Sequence, residues 1–180
     1  MGTAGMSDTQ VILVVTGSDR PGLTKALADA VHAAGGKWLE SHLSRLGGKY
    51  VGSVLVALDA AALSDLEARI RAVDASGLRV SVVPADADAP TVGDTLTVEL
   101  VGQDRPGIVR EVTAVLAALG VNIDSLTTAT EHGAWSGEPL FRARAKVTLP
   151  HGIDQDEVQA ALEAISGDVM VDFTVRRADA

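Results

Sequence analysis

The chain has 180 residues, with 15 Lys and Arg against 24 Asp and Glu for a net charge of −9, and it has no Cys. Without Cys there is no disulfide, no thiolate nucleophile and no Cys-ligated zinc or iron–sulfur site, and an acidic chain lacks the basic face that neutralises nucleic-acid phosphates. The first residues are small and polar, without the layout of a signal peptide, and no apolar stretch is long enough to span a bilayer, so a soluble cytoplasmic protein is expected.

Gln10 to Thr16 is a short, β-branched, nearly continuous apolar run, which suits a strand buried on both sides or against covering helices. It ends at Gly17. The segment Gly17-Ser18-Asp19-Arg20-Pro21-Gly22 follows, and then Leu23, Leu27, Val31 and Ala34 recur at helical spacing. Pro21 can initiate this helix, and Gly35-Gly36 can terminate it. Residues 37–46 read as a second strand, Gly47-Gly48 as a tight hairpin turn and Tyr50 to Leu58 as its antiparallel partner. Ala61 to Ser76 returns to helical spacing through Leu63, Leu66, Ile70 and Val73, and Leu78 to Val83 closes the unit as a strand before Pro84.

The turn then returns as Gly102-Gln103-Asp104-Arg105-Pro106-Gly107, at an offset of 85 positions, and the apolar residues Leu23, Leu27 and Val31 fall on Ile108, Val112 and Leu116. A period this long is a duplicated domain, outside the range of short-repeat solenoids. The second copy reads as strand 95–101, helix 107–119, strand 121–130, strand 141–149, helix 154–165 and strand 169–176. Each copy is β-α-β-β-α-β, which predicts an α+β fold: two ferredoxin-like domains, each an antiparallel four-stranded sheet with two helices on one face. The expected domains are residues 10–84 and 94–177. Residues 85–93, with Ala85-Asp86-Ala87-Asp88-Ala89-Pro90 carrying no bulky apolar side chain, form a linker. The second copy carries six more residues in its central hairpin, including Trp135, which is either a contact surface or a side chain folded back onto its own domain.

Asp-Arg-Pro-Gly between a strand and a helix reads in two ways. It is either a common helix start or an uncluttered helix N-terminus whose free N–H groups seat a carboxylate, with Gly allowing close approach to the backbone. Catalytic signals are missing. Gly17-x4-Gly22 and Gly102-x4-Gly107 lack the Lys-Ser or Lys-Thr of a P-loop, and neither a Gly-x-Ser-x-Gly elbow nor a Gly-x-Gly-x-x-Gly turn occurs. His32, His42, His132 and His151 show no metal-binding spacing. Asp65, Glu67, Asp154, Asp156 and Glu157 sit near helix starts, where the helix dipole accounts for them.

Strand, Asp-Arg-Pro-Gly, helix, then Gly120-Val121-Asn122-Ile123 entering a strand, within a β-α-β-β-α-β unit, resembles an ACT domain, the small regulatory module that binds amino acids. The resemblance covers both copies. Two such repeats without a catalytic domain, with Ser41 to Gly48 leading to Tyr50 and Ser136 to Phe141, are similar to the tandem-ACT transcriptional regulators of the glycine cleavage system. It implies a non-enzymatic sensor without cofactor or metal, which binds glycine or a similar small amino acid. Such a sensor passes its signal to a protein partner such as a transcription factor, without touching nucleic acid or membrane, and works as a homodimer. An alternative within the same resemblance is a stand-alone ACT protein that regulates a metabolic enzyme allosterically. ACT domains hold the effector between the first turn of one domain and strand two of its partner. The resemblance therefore points first to Asp104, Arg105, Gly107 and Ile108 in the second turn, with Asn122 and Ile123, as the seat if a single class of site binds, and after them to Asp19, Arg20 and Gly22 in the first turn. An amide suits the task because it both donates and accepts, although Asn122 also reads as a turn asparagine. Lys37 stands where Asn122 stands, either receiving an anion or simply solvated.

An enzyme built on the same scaffold and an RNA-binding domain of the same strand order are the competing classes. The first lacks a nucleophile, base or metal motif. The second needs stacking aromatics, of which the whole chain offers two Phe, one Tyr and two Trp.

Overall fold

The computed structural model of the chain describes residues 8–74, 77–86, 93–132, 139–169 and 171–177. These divide into two compact units, with the boundary between Ala87 and Asp88. In the first, β1 (Asp8–Ser18), α1 (Leu23–Ala33), β2 (Lys37–Leu46), β3 (Lys49–Asp59), a 3-10 turn (Ala60–Ala62), α2 (Leu63–Asp74) and β4 (Leu78–Pro84) form a sheet of order β2-β3-β1-β4. In the second, β5 (Thr95–Gln103), α3 (Ile108–Ala118), β6 (Asn122–His132), β7 (Pro139–Thr148), α4 (Gln155–Val169) and β8 (Val171–Arg177) repeat it as β6-β7-β5-β8. All pairings are antiparallel, as the ferredoxin-like reading requires.

Each unit has its own core. In the first, Leu23, Leu27 and Val31 of α1 and Leu66 and Ile70 of α2 pack onto Val11, Leu13 and Val15 of β1 and Val54 and Val56 of β3. In the second, Ile108, Val112 and Leu116 of α3 and Val158 and Leu162 of α4 pack onto Leu96, Val98 and Leu100 of β5. The apolar run of β1 is therefore buried on one side only. Its residues alternate, with Leu13 fully buried and Val14 46% exposed, because both helices cover the same face.

Helix ends follow backbone hydrogen bonding. Gly35 and Gly120 take positive φ just past α1 and α3, and the N–H groups of Gly36 and Val121 donate to the carbonyls of Val31 and Leu116 at 2.9 Å. This is the Schellman closure that the paired glycines suggest. At α4, Asp154 N–H donates to Glu157 Oε2 and Glu157 N–H to Asp154 Oδ1, at 3.0 and 2.9 Å. Asp65 pairs with Arg69 one turn on. Asp65, Asp154 and Glu157 are thus engaged in structure.

Several element limits move. The expected helix 61–76 starts as a 3-10 turn and continues to Asp74, its last two positions lying outside the described residues, and α4 runs to Val169, so β8 begins at Val171 rather than at residue 169. β6 and β7 stay paired out to His132 and Pro139, which turns both ends of the expected hairpin loop into strand. Trp135 lies outside the described residues. Among the described residues no helix is long and apolar enough to cross a membrane.

Candidate functional site

The two Asp-Arg-Pro-Gly turns have nearly the same backbone. Gly22 (φ 91°, ψ −5°) and Gly107 (φ 96°, ψ −9°) are the N-caps of α1 and α3, and neither helix start has a side-chain cap. Pro21 and Pro106 therefore lie one residue before the cap, instead of opening the helix as the sequence suggested. A Cβ at position 22 would meet nothing within 4 Å, so no neighbouring atom among the described residues dictates glycine there, and the turn is open to an approaching group. The requirement is the left-handed φ, which costs a residue with a Cβ about 1–2 kcal/mol. The first helical bonds run from Ala26 N–H to Gly22 O and from Glu111 N–H to Gly107 O, at 2.9 and 3.0 Å. The N–H groups of the three residues between stay outside the helical ladder and give each turn a partial positive charge.

Side chains make the turns unequal. In the second unit Arg105 Nη2 donates to Glu111 Oε2 at 2.6 Å, in a pair that is partly buried. The same carboxylate lies 3.6 Å from where a Cβ of Gly107 would be, so α3 carries its own anion over its N-terminus. Asp104 N–H donates to Pro139 O at 3.1 Å, fastening the turn to β7. In the first unit the residue corresponding to Glu111 is Ala26, and Arg20 is exposed with no partner among the described residues. Asp19 pairs with Arg45 of β2 at 3.3 Å, and Thr24 shares a 2.6 Å hydroxyl hydrogen bond with Tyr50 of β3.

An open cleft of about 450 Å³ beside the first turn is lined by Thr16, Gly17, Ser18, Lys49, Asp74, Gly77 and Arg79. Its counterpart beside the second turn, also about 450 Å³, has Leu140 in place of Lys49 and Asp172 in place of Arg79. Two cations against one carboxylate favour an anion at the first turn. At the second, a carboxylate is the only charged group among the described lining residues.

Asn122 opens β6, and its Nδ2 donates to Asp124 Oδ1 at 2.7 Å. Asp124 stands in a β-bulge between Ile123 and Ser125, and its other oxygen accepts from the buried Thr148 hydroxyl at 2.7 Å. The first unit has a bulge at the matching place, but with Lys37 at the strand head and Leu39 in the bulge. Asn122 registers with Thr148, and Thr148 with Thr95 at the start of β5, whereas the Asp104 turn follows the end of that strand. Eight residues of strand separate the two levels, roughly 27 Å. Asn122 and the turn of its own unit thus lie at opposite ends of the sheet. Ile108 is buried and Ile123 packs against the core, so their side chains hold the backbone in place. Glu111, Asp124 and Thr148 belong to no motif in the sequence. The contrast of Glu111 with Ala26 in the aligned repeats was the available signal.

On the outward face of the second sheet, Glu99 accepts hydrogen bonds from Arg144 and, at 2.9 Å, from Arg176. The Arg144 hydrogen bond holds the Glu99 carboxyl below its ordinary value, and Arg176 acts in the same direction. A depressed folded-state pKa contributes stability that is fully present above the unfolded-state value and is lost as pH falls through the folded-state value. An NMR titration should give Glu99 a midpoint below the ordinary value of about 4.3, and Arg144→Ala should move it upward. A midpoint unmoved by that substitution would show that the pair does not persist in solution.

Residues 9–82 and 96–167 each match a family model described as the ACT domain. A solved structure of an unknown protein from Galdieria sulphuraria is similar at 28% identity and a TM-score of 0.79, over 96% of this chain and all of that one. The structure of a candidate glycine cleavage system transcriptional repressor shares the fold with a TM-score of 0.70 and 15% identity, over 96% of this chain and 99% of the other. Phosphoserine phosphatase SerB2 of Mycobacterium tuberculosis is 30% identical over an alignment of 173 residues that covers 92% of this chain. The chain spans 40% of the length of that phosphatase.

Proposed function

Both halves of the chain belong to the ACT-domain family, and from that premise we propose that the protein is a non-enzymatic sensor of a small amino acid, glycine or one close to it. ACT domains are regulatory modules that bind amino acids, and here they are taken as residues 10–84 and 94–177, joined by 85–93. The observation that carries the reading is the uncapped N-terminus of α1, with the exposed Arg20 beside it and Lys49 and Arg79 lining the adjacent cleft. Arginine receives a carboxylate through two parallel N–H donors, and the helix end adds backbone N–H groups. The first turn is accordingly the stronger seat, because Glu111 competes for Arg105 at the second.

Asn122 reaches the ligand from a second copy of the chain, since a free amino acid is far shorter than the roughly 27 Å to its own turn. The sensor reports to a protein partner, such as a transcription factor, in the cytoplasm, and works as a homodimer. A net charge of −9 argues against direct contact with DNA. Calorimetric titration with a panel of amino acids tests the proposal. One or a few small amino acids should bind, and Asn122→Ala should weaken the binding about tenfold, as loss of one to two polar contacts does. Silence across the whole panel would sink the sensor reading.

The likeness to a phosphoserine phosphatase over nearly the whole chain favours a second reading, in which the same effector site regulates a metabolic enzyme. The partner recovered with the tagged protein from its own cells, a transcription regulator or an enzyme, separates the two.

A further inference from the structure

We propose that the outward face of the first unit's sheet, the side away from its own helices α1 and α2, is the surface through which two copies of the chain associate. Strand register sets what that face presents. Leu55, Ile12 and Val83 form one row across β3, β1 and β4, and Val14 sits in the next row between Ser53 and Ser81. Val14 and Val83 are 46% and 43% exposed, and Leu46, at the end of β2 on the same face, is 71% exposed. These three are half of the large apolar side chains left exposed among the described residues. Isolated exposed apolar residues need no explanation, whereas a contiguous group on one face does.

The duplicated unit supplies an internal control. In its sheet the row equivalent to Leu55, Ile12 and Val83 is Lys146, Thr97 and Arg176, and Glu99 replaces Val14, with Arg144 and Thr174 beside it. The same fold with the same strand order is thus built with an ionic outward face. Folding does not require the apolar one, so its chemistry has another cause.

The anatomy and size fit a second copy. Polar and charged residues stand at the margins, Lys37, Glu40 and His42 on β2 and Arg79 on β4, around an apolar centre. Four strands about 4.8 Å apart and some ten residues long offer roughly 650 Å² per copy, close to the ~800 Å² per partner of a stable dimer. A two-fold axis sets the apolar rows of one copy against those of the other, which makes the patch its own complement, and the two sheets would stack as in a sandwich.

The inference rests on the homodimer reading above but not on amino-acid binding, and the experiment separates the two. Light scattering over a wide concentration range should give the wild-type chain a dimer mass. Val14→Lys should weaken the dimer by at least about 30-fold, as loss of a central interface residue does. Thr174→Lys, on the matching face of the second unit, should leave the dimer alone. Val14→Thr keeps shape and strand preference, so a measurable weakening by this variant decides the matter if the lysine variant fails to fold. A wild-type chain that stays monomeric, its face left to some other molecule, overturns both the homodimer and the surface. A dimer indifferent to both Val14 variants overturns the surface alone.

Discussion

Gly52→Ala is expected to lower the stability of the chain by about 3 kcal/mol or more, the combined size of a strained backbone and a forced overlap in a packed region. Gly52 lies in β3, an interior strand, paired with Leu43 of β2 on one side and Val15 of β1 on the other. Its φ is 149°, a conformation that side-chain-bearing residues rarely adopt. A Cβ there would run into the backbone carbonyl of His42, so β2 would have to move away from β3. Strain alone, as at Gly22, where a Cβ meets open space, should cost only about 1–2 kcal/mol. The duplicate holds the buried Ala143 at the matching place, which shows that the demand is local to the first unit's sheet and not general to the fold. Denaturant unfolding of the two variants measures the difference through the midpoint. A loss at Gly52 no larger than that at Gly22 would show that β2 yields freely.

Arg20→Ala should reduce affinity for the amino-acid effector by about 10- to 100-fold, the effect of removing a hydrogen-bonded charge from a carboxylate. Arg105→Ala should change it much less, because Arg105 is already held by Glu111 at 2.6 Å. Glu111→Gln provides the converse. With the competing charge removed, the second turn should gain affinity, read in the titration as a rise in binding stoichiometry or as a second phase. Equal losses at the two arginines would place the effector at both turns, and an unchanged affinity in Arg20→Ala would move the carboxylate seat elsewhere.

Much of the fold was legible because its signals are local. The strand, turn and helix pattern, the glycines at the ends of α1 and α3, and the repeated Asp-Arg-Pro-Gly depend on residues a few positions apart, and an offset of 85 positions doubles each signal. The limits that moved are those where pairing between strands extends an element, as at His132 and Pro139, or where a helix continues past its apolar spacing, as at Val169.

The candidate site was legible as residue types only. Glu111 over Gly107 and Arg105, Asn122 tied to a bulge aspartate, and the separation of Asn122 from its own turn arise from distances that spacing along the chain does not encode. The run from Val11 to Val15 shows the limit most directly. That this segment is an apolar strand in a duplicated α+β unit follows from its residues alone. That both helices lie on one side of it emerges on folding, because burial depends on what packs against each face. The same backbone therefore leaves Val14 facing outward in one unit and Glu99 in the other.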